Sequence, residues 1–273
     1  MEVHHHGSHH QGNKSIRQHL TEFFMLFAAI TLGFFAENIR EIYVENHRSE
    51  ELAVSFYQDL RADELALKEF IVGRNQHRKS LDSLIKDLDK RGIQLKDKQQ
   101  YIWIFLDFFR WVYFEPKHAN LDQIINSGSL RYFKNPKLVA EISELNVRMN
   151  GLMQRQEREK NFFYNYIQPF VVKEFNLKPT DSLRTGMNTD VFKEKFLRDE
   201  MNIDELNFIS LNPHEKSKEL GNLLRFNDYL QYVTEKGYYN KYLETTSNLI
   251  NSLESTFHIK REDASASKNF EFK

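Results

Sequence analysis

The chain has 273 residues, a formal net charge of −1, 40% hydrophobic residues and no cysteine. That hydrophobic content suffices for a core of reasonable size. The lack of cysteine excludes a disulfide framework, thiol catalysis and a lipidated cysteine, and a near-neutral chain without a basic patch argues against nucleic acid as a partner.

The first 19 residues read as a His-rich tail opening MEVHHHGSHH. Imidazoles this close in sequence can share a transition metal. No carboxylate or cysteine stands at a fixed spacing to complete a preorganised shell, so neither a metal nor a cofactor is assigned. Two other readings stand: one is a purification tag, although tags generally have unbroken histidine runs and this one is interrupted by Gly7 and Ser8. The remaining reading is a polar tail that becomes more basic as pH falls.

The next stretch, Phe23 to Ala36 (FFMLFAAITLGFFA), is uncharged and apolar on every side of a helix. Extended over 20–39 it reaches the roughly 20 residues that span a bilayer core. Glu22 and Glu37 then fall near the two ends, where a carboxylate reaches the headgroup layer at modest cost. Phe34-Phe35-Ala36 puts bulk where a signal peptidase needs small residues, so a cleaved signal fits poorly. The expectation is a single transmembrane helix over 20–39 in contact with the lipid bilayer. Lys14 and Arg17 before it balance Arg40 and Arg48 after it, so the basic-residue count leaves orientation tied. A short basic head and a long polar tail place the N-terminus in the cytoplasm and the rest in the periplasm, at the cytoplasmic (inner) membrane of a bacterial cell.

From residue 40 to 95 the expectation is a long charged stalk helix, bent near Gly73. Leu52, Phe56, Leu60, Leu67 and Ile71 recur at helical spacing, then Leu81, Leu84, Ile85 and Leu88. That stripe packs on later helices of the same chain or, as a coiled coil, on a second copy. Arg61, Asp63, Glu64 and Lys68 fall on the other faces, and Asp59, Asp63 and Glu64 read as a solvated acidic cluster.

A helical bundle is expected over 96–258, followed by a disordered tail over 259–273. Tyr101 to Phe114 (YIWIFLDFFRWVYF) is mostly aromatic and reads as a core helix ending before Pro116. A second membrane span there would bury an Asp107–Arg110 pair in mid-bilayer. Phe162, Phe163, Tyr164, Tyr166, Ile167 and Phe170 read as core. A short helix over 119–126 ends at Gly128, free to adopt a left-handed turn. Asn135-Pro136 gives an N-cap and a first-turn proline for the next helix. Arg131 and Lys134, at that junction, read as a solvated edge rather than an anion site.

The segment from Leu121 through Ile125, Ser127-Gly128, Leu130-Arg131, Lys134-Asn135 and Leu138 resembles a family of single-pass membrane proteins, mainly from Bacteroidota, known as a domain of unknown function. Its members have a short head, one membrane helix, a long charged helix, an S-G-x-L-R-x-x-K-N-x-x-L segment and a C-terminal helix. The resemblance implies that order of elements and no activity. The phenylalanine-rich membrane segment departs from the family's Val/Ile-rich version.

Pro169 is expected to interrupt the helix that carries this aromatic cluster, and the pattern predicts short helices joined by loops over 176–215. A terminal helix follows over Leu220–Ile259, with Gly237 as its weak point. No phosphate loop, zinc-protease motif or nucleophile elbow is present. His47, His77, His118, His214 and His258 read as isolated surface residues. The fold class expected is all-α. The function expected is a non-enzymatic structural or interaction component of the cell envelope, acting as a homo-oligomer or on another envelope protein. The rival is an ion- or signal-transducing subunit using Glu22 and Glu37.

Overall fold

The computed structural model describes residues 16–94, 96–109, 111–201 and 213–260. It is 86% helical with no strand among the described residues, so the all-α expectation holds. The His-rich head before Ile16, Arg110 and the tail after Lys260 lie outside the described residues. The chain divides into two compact units at Glu51/Leu52.

Helix α1 runs from Ile16 to Arg91 and passes through Gly73 without a break. It contains no proline, and it stops where Gly92 adopts φ 65. Only glycine takes that left-handed turn without strain. In the first unit, an 18-residue window of this helix has mean hydropathy 1.6 and none of it is buried. It is therefore long and apolar enough to cross a membrane.

In the second unit, α1 from Leu52 onward belongs to the core. Two apolar clusters form around it. The first takes Ala53, Phe56, Leu60 and Leu67 of α1 together with α3 (Ala119–Asn126), α4 (Pro136–Phe162) and α9 (Asn240–Phe257). The second takes Leu81, Leu84 and Leu88 with α2 (Lys98–Ile102), α5 (Gln168–Glu174), α7 (Thr189–Leu197) and α8 (Pro213–Thr234). The short α6 (Asp181–Arg184) precedes α7. Full burial of each large side chain contributes about 1.5–3 kcal/mol, so these clusters dominate the fold.

The local signals perform as their chemistry dictates. Asn135 caps α4, its side chain accepting from the amides of Lys137 at 3.0 Å and Leu138 at 3.4 Å, with Pro136 in the first turn. Gly128 takes φ 74 after α3. The 176–201 stretch consists of short helices, as expected; residues 202–212 lie outside the described residues.

Three expectations need correction. The aromatic helix does not reach Phe114: α2 passes at Trp103 into a π-helical turn that ends at Phe108, and 111–118 is irregular. Ile104, Phe105, Phe108 and Phe114 are buried, so most of the segment is core. Within 111–118 the Phe114 amide donates to the Gln156 side chain and the Lys117 amide to Asp63. Second, Pro169 does not interrupt the helix. A π turn over Phe163–Ile167 absorbs it and α5 continues, with Pro169 in its first turn. Third, Tyr164 and Tyr166 are exposed, whereas Phe163, Ile167 and Phe170 are buried. A third π turn, Glu235–Tyr239, joins α8 to α9 and contains Gly237.

Candidate functional site: a buried polar layer and its cavity

On α1 the two apolar clusters are separated by the interval between Leu67 and Leu81, and Arg74 occupies its middle. Arg74 and Glu159 of α4 are each about 95% buried. Arg74 Nη2 lies 2.5 and 2.6 Å from the two Glu159 carboxylate oxygens. Charges this far from water persist only when paired and hydrogen-bonded. The remaining partners meet that condition. The Thr234 hydroxyl donates to Glu159 and accepts from Arg155 Nε at 3.0 Å, while Arg155 Nη2 donates to the Leu230 carbonyl at 3.1 Å. The Arg74 guanidinium also stands 5.3 Å from the centre of the Tyr239 ring, within cation–π range.

The Tyr239 hydroxyl donates to Gln156 Oε1 at 2.8 Å, and burial raises its pKa above the ordinary tyrosine value. Gln156 in turn pairs with the main chain of Phe114, accepting from its amide at 2.7 Å and donating to its carbonyl at 2.9 Å. A side-chain amide here takes the place of a neighbouring strand.

Two more side chains hold main-chain groups nearby, at Asp107 in the π turn and at Lys117 in the irregular segment. His77 Nε2 donates to the Asp107 carbonyl, and Nδ1 lies 3.4 Å from Gln231 Oε1. Burial pushes the His77 pKa below its usual value. Asp63 accepts from the Lys117 amide at 3.0 and 3.1 Å and from the Tyr242 hydroxyl at 2.8 Å. Desolvation outweighs these bonds and raises its pKa to about 6.

These placements correct two expectations. Asp63 and Glu64 are buried, not solvated, and Asp59 accepts from Asn120 at 2.6 Å. Glu64 is partnered by Arg61, by Lys68 at 2.8 Å and by Ser247 at 3.0 Å. His77 is not an isolated surface residue. His118 is exposed beside Asp122 at 2.7 Å, and His258 ends α9 with φ 53. Glu22 and Glu37 sit in the exposed part of α1 beside His19 and Arg40.

Against the layer lies a cavity of about 510 Å³, lined by Phe70, Gly73, Arg74, Trp111, Tyr113 and Phe163, and further by His77, Val112, Glu159, Asn227 and Gln231. That volume falls in the range of small-molecule sites. Trp111 and Tyr113 stack at 4.9 Å, so one wall is a flat aromatic surface. Arg74 Nε and Trp111 Nε1 are buried without a hydrogen-bond partner among the described residues. Native interiors rarely leave such donors unmatched.

The three π turns all border this region, through Asp107, Phe163 and Tyr239. Such turns recur at functional sites. Gly237 was the sequence signal for one of them; the layer itself had none, because Arg74 and Glu159 are 85 residues apart. No group of three or more potential metal-ligating side chains occurs among the described residues. No protein-family model, curated protein or solved structure matches the chain.

Proposed function

We propose that the protein is a membrane-anchored helical component of a bacterial cell envelope, acting through its domain from Leu52 onward by protein contact rather than by catalysis. The observation that carries this reading is the exposure of Phe23, Phe24, Leu26, Phe34 and Phe35 on a helix whose most apolar window has no buried residue. Water disfavours such a surface at about 25 cal/mol per Å², whereas lipid accepts it, and its backbone amides are satisfied within the helix. Residues 20–39 are the anchor in this reading, with the N-terminus cytoplasmic and the domain periplasmic.

The intact chain is expected to pellet with membranes and to resist alkaline carbonate. Deletion of residues 1–39 is expected to move it to the soluble fraction with its helical circular dichroism retained. Intact protein in the soluble fraction without detergent would overturn the reading. Orientation follows from separate Ser8→Cys and Ser265→Cys variants treated with an impermeant thiol reagent in cells with a permeabilised outer barrier. Labelling only at 265 supports the periplasmic domain, and labelling only at 8 reverses it.

A further inference from the structure

On the outer side of the domain, α4 and α5, joined through the Phe163–Ile167 π turn, run antiparallel to α8. The pairs Arg155–Leu230, Phe162–Phe226 and Glu174–Lys216 fix that direction. A connected run of rings covers the junction. The Phe162 ring centre lies 5.4 Å from that of Tyr166 and 4.9 Å from that of Phe226, and Phe226 lies 6.3 Å from Tyr229. Phe162 is half-buried, Phe226 is 49% exposed, and Tyr166 and Tyr229 are each 59% exposed. Large rings carry about 150–250 Å² each, so the four leave roughly 300–400 Å² of aromatic surface uncovered. Patches of that size mark contact sites. A standard interface takes about 800 Å² from each partner, a little more than half of it apolar. The rings therefore supply most of the apolar share.

The polar groups beside the rings point to the partner. Asn161, Asn165 and Asn222 are exposed there. Their amides and the two tyrosine hydroxyls can each both donate and accept a hydrogen bond. Charges stand at the rim and are largely paired within the chain: Glu157 with Lys160 at 3.2 Å, Arg78 with Asp228 at 2.8 Å, and Arg225 with Asp89. Arg158 adds one positive charge, a turn before Phe162. A twofold interface sets a surface against itself. A face of like charges or of donors alone would repel its own copy, whereas rings, amides and hydroxyls can mate with theirs.

We propose that this face, centred on Phe162 and Phe226, joins two copies of the chain about a twofold axis. The inference deepens the reading of action by protein contact, on which it rests, by naming a second copy as the partner. The joint is made by α4–α5 and α8 of both copies, with the rings buried and the ion pairs left in water at the rim.

The full chain has no cysteine, so single cysteines can report on the face. Asn165→Cys lies beside the rings, and Val147→Cys, on the 67% exposed Val147 of the same helix, lies about five turns away. Each variant is treated with a bis-maleimide in the cell fraction that holds the chain, membrane or soluble. A failed anchor and a failed dimer then give separate results. Asn165→Cys is expected to give a covalent product of twice the chain mass, and Val147→Cys at least about tenfold less of it. Adding Tyr166→Lys and Tyr229→Lys to Asn165→Cys removes two rings and sets like charges against each other. That variant is expected to cut the dimer yield at least about tenfold. Both rings are exposed, so its helical circular dichroism should be unchanged. No dimer from Asn165→Cys overturns the proposal, as does an equal yield from Val147→Cys or a yield that survives the two lysines. A product of another mass would make a different protein the partner. Slow maleimide labelling at 165 without a dimer would make lipid or the chain's own 202–212 segment the cover. Either result also overturns the proposal.

Discussion

Helix α1 treats side chains in opposite ways along its length. Between Leu20 and Ile39 it leaves Phe23, Leu26, Phe34 and Phe35 more than half exposed; between Leu52 and Arg91 it buries Asp63, Glu64 and Arg74. An apolar surface without protein cover and a charged interior with full cover obey one rule, that each group needs a compatible neighbour. For the first region that neighbour is not another part of the described chain. For the second, it is supplied by α4, α9 and the segment 111–118. A charge on a helix therefore says little about its exposure until its partners are known.

The largest effects are expected where the buried pair is broken on one side. Arg74→Met leaves the Glu159 carboxylate buried beside Thr234 alone, and a loss of about 3–5 kcal/mol is expected on chemical denaturation. The double variant Arg74→Met/Glu159→Leu removes both charges and should recover much of that loss. An equal loss in single and double variants would show that packing around Arg74, not charge, supports the layer.

Phe108→Ala tests the apolar side of the same comparison. Its ring is fully buried, and aromatic truncation at such a site costs about 3–5 kcal/mol. Tyr166→Ala, on an exposed ring, should change stability by less than about 0.5 kcal/mol. Two similar values would remove the distinction drawn between the core and outer parts of the aromatic segments.

Protonation sharpens the account through two groups of opposite sign. Asp63 has its pKa raised from 3.8 to about 6 in the fold, so the native state binds the extra proton. Its contribution is fully present below about 4 and is lost as pH rises through about 6. Asp59, Lys117 and Tyr242 are its neighbours. His77 is lowered below 6.5, so its contribution is present above 6.5 and is lost as pH falls through the lower folded value. Asp63→Asn removes the first slope and should make stability fall more steeply on acidification below pH 6.5. Denaturation midpoints measured between pH 4 and pH 8 check this, and an unchanged profile would show that Asp63 does not titrate in that window.

Two glycines give the smallest effects, in opposite directions. Gly128 has φ 74, and a Cβ there would meet nothing within 4 Å, so Gly128→Ala is expected to cost about 1 kcal/mol through backbone strain alone. Gly73 lies within α1 and also has open space. Gly73→Ala should add about 0.5–1 kcal/mol by helix propensity. Thermal midpoints moving in the same direction for both variants would contradict this reading of the two positions.

What the sequence disclosed follows from the range of each interaction. The Asn135 cap, the Pro136 first turn and the Gly128 turn depend on residues within three or four positions, and all were legible. The apolar stripe of α1 was legible because burial repeats with the helical period. The end of the aromatic helix at Phe108 was not, because it depends on Gln156, His77 and Asp63 capturing main-chain groups of 107–117 from other helices. The burial of His77, Asp63 and Glu64 escaped for the same reason. Each has partners far along the chain, and single-residue polarity points the wrong way.

The contrast between the two parts of α1 can be measured with one reagent, since the chain has no cysteine of its own. Leu32 and Val147 are both 67% exposed in the fold. Leu32→Cys and Val147→Cys variants, in sonicated membrane fragments open on both faces, are treated with a water-soluble maleimide. The account predicts fast labelling at 147 and protection at 32, with the protection lost on denaturation in detergent. Equal labelling rates at the two positions in intact membranes would contradict it.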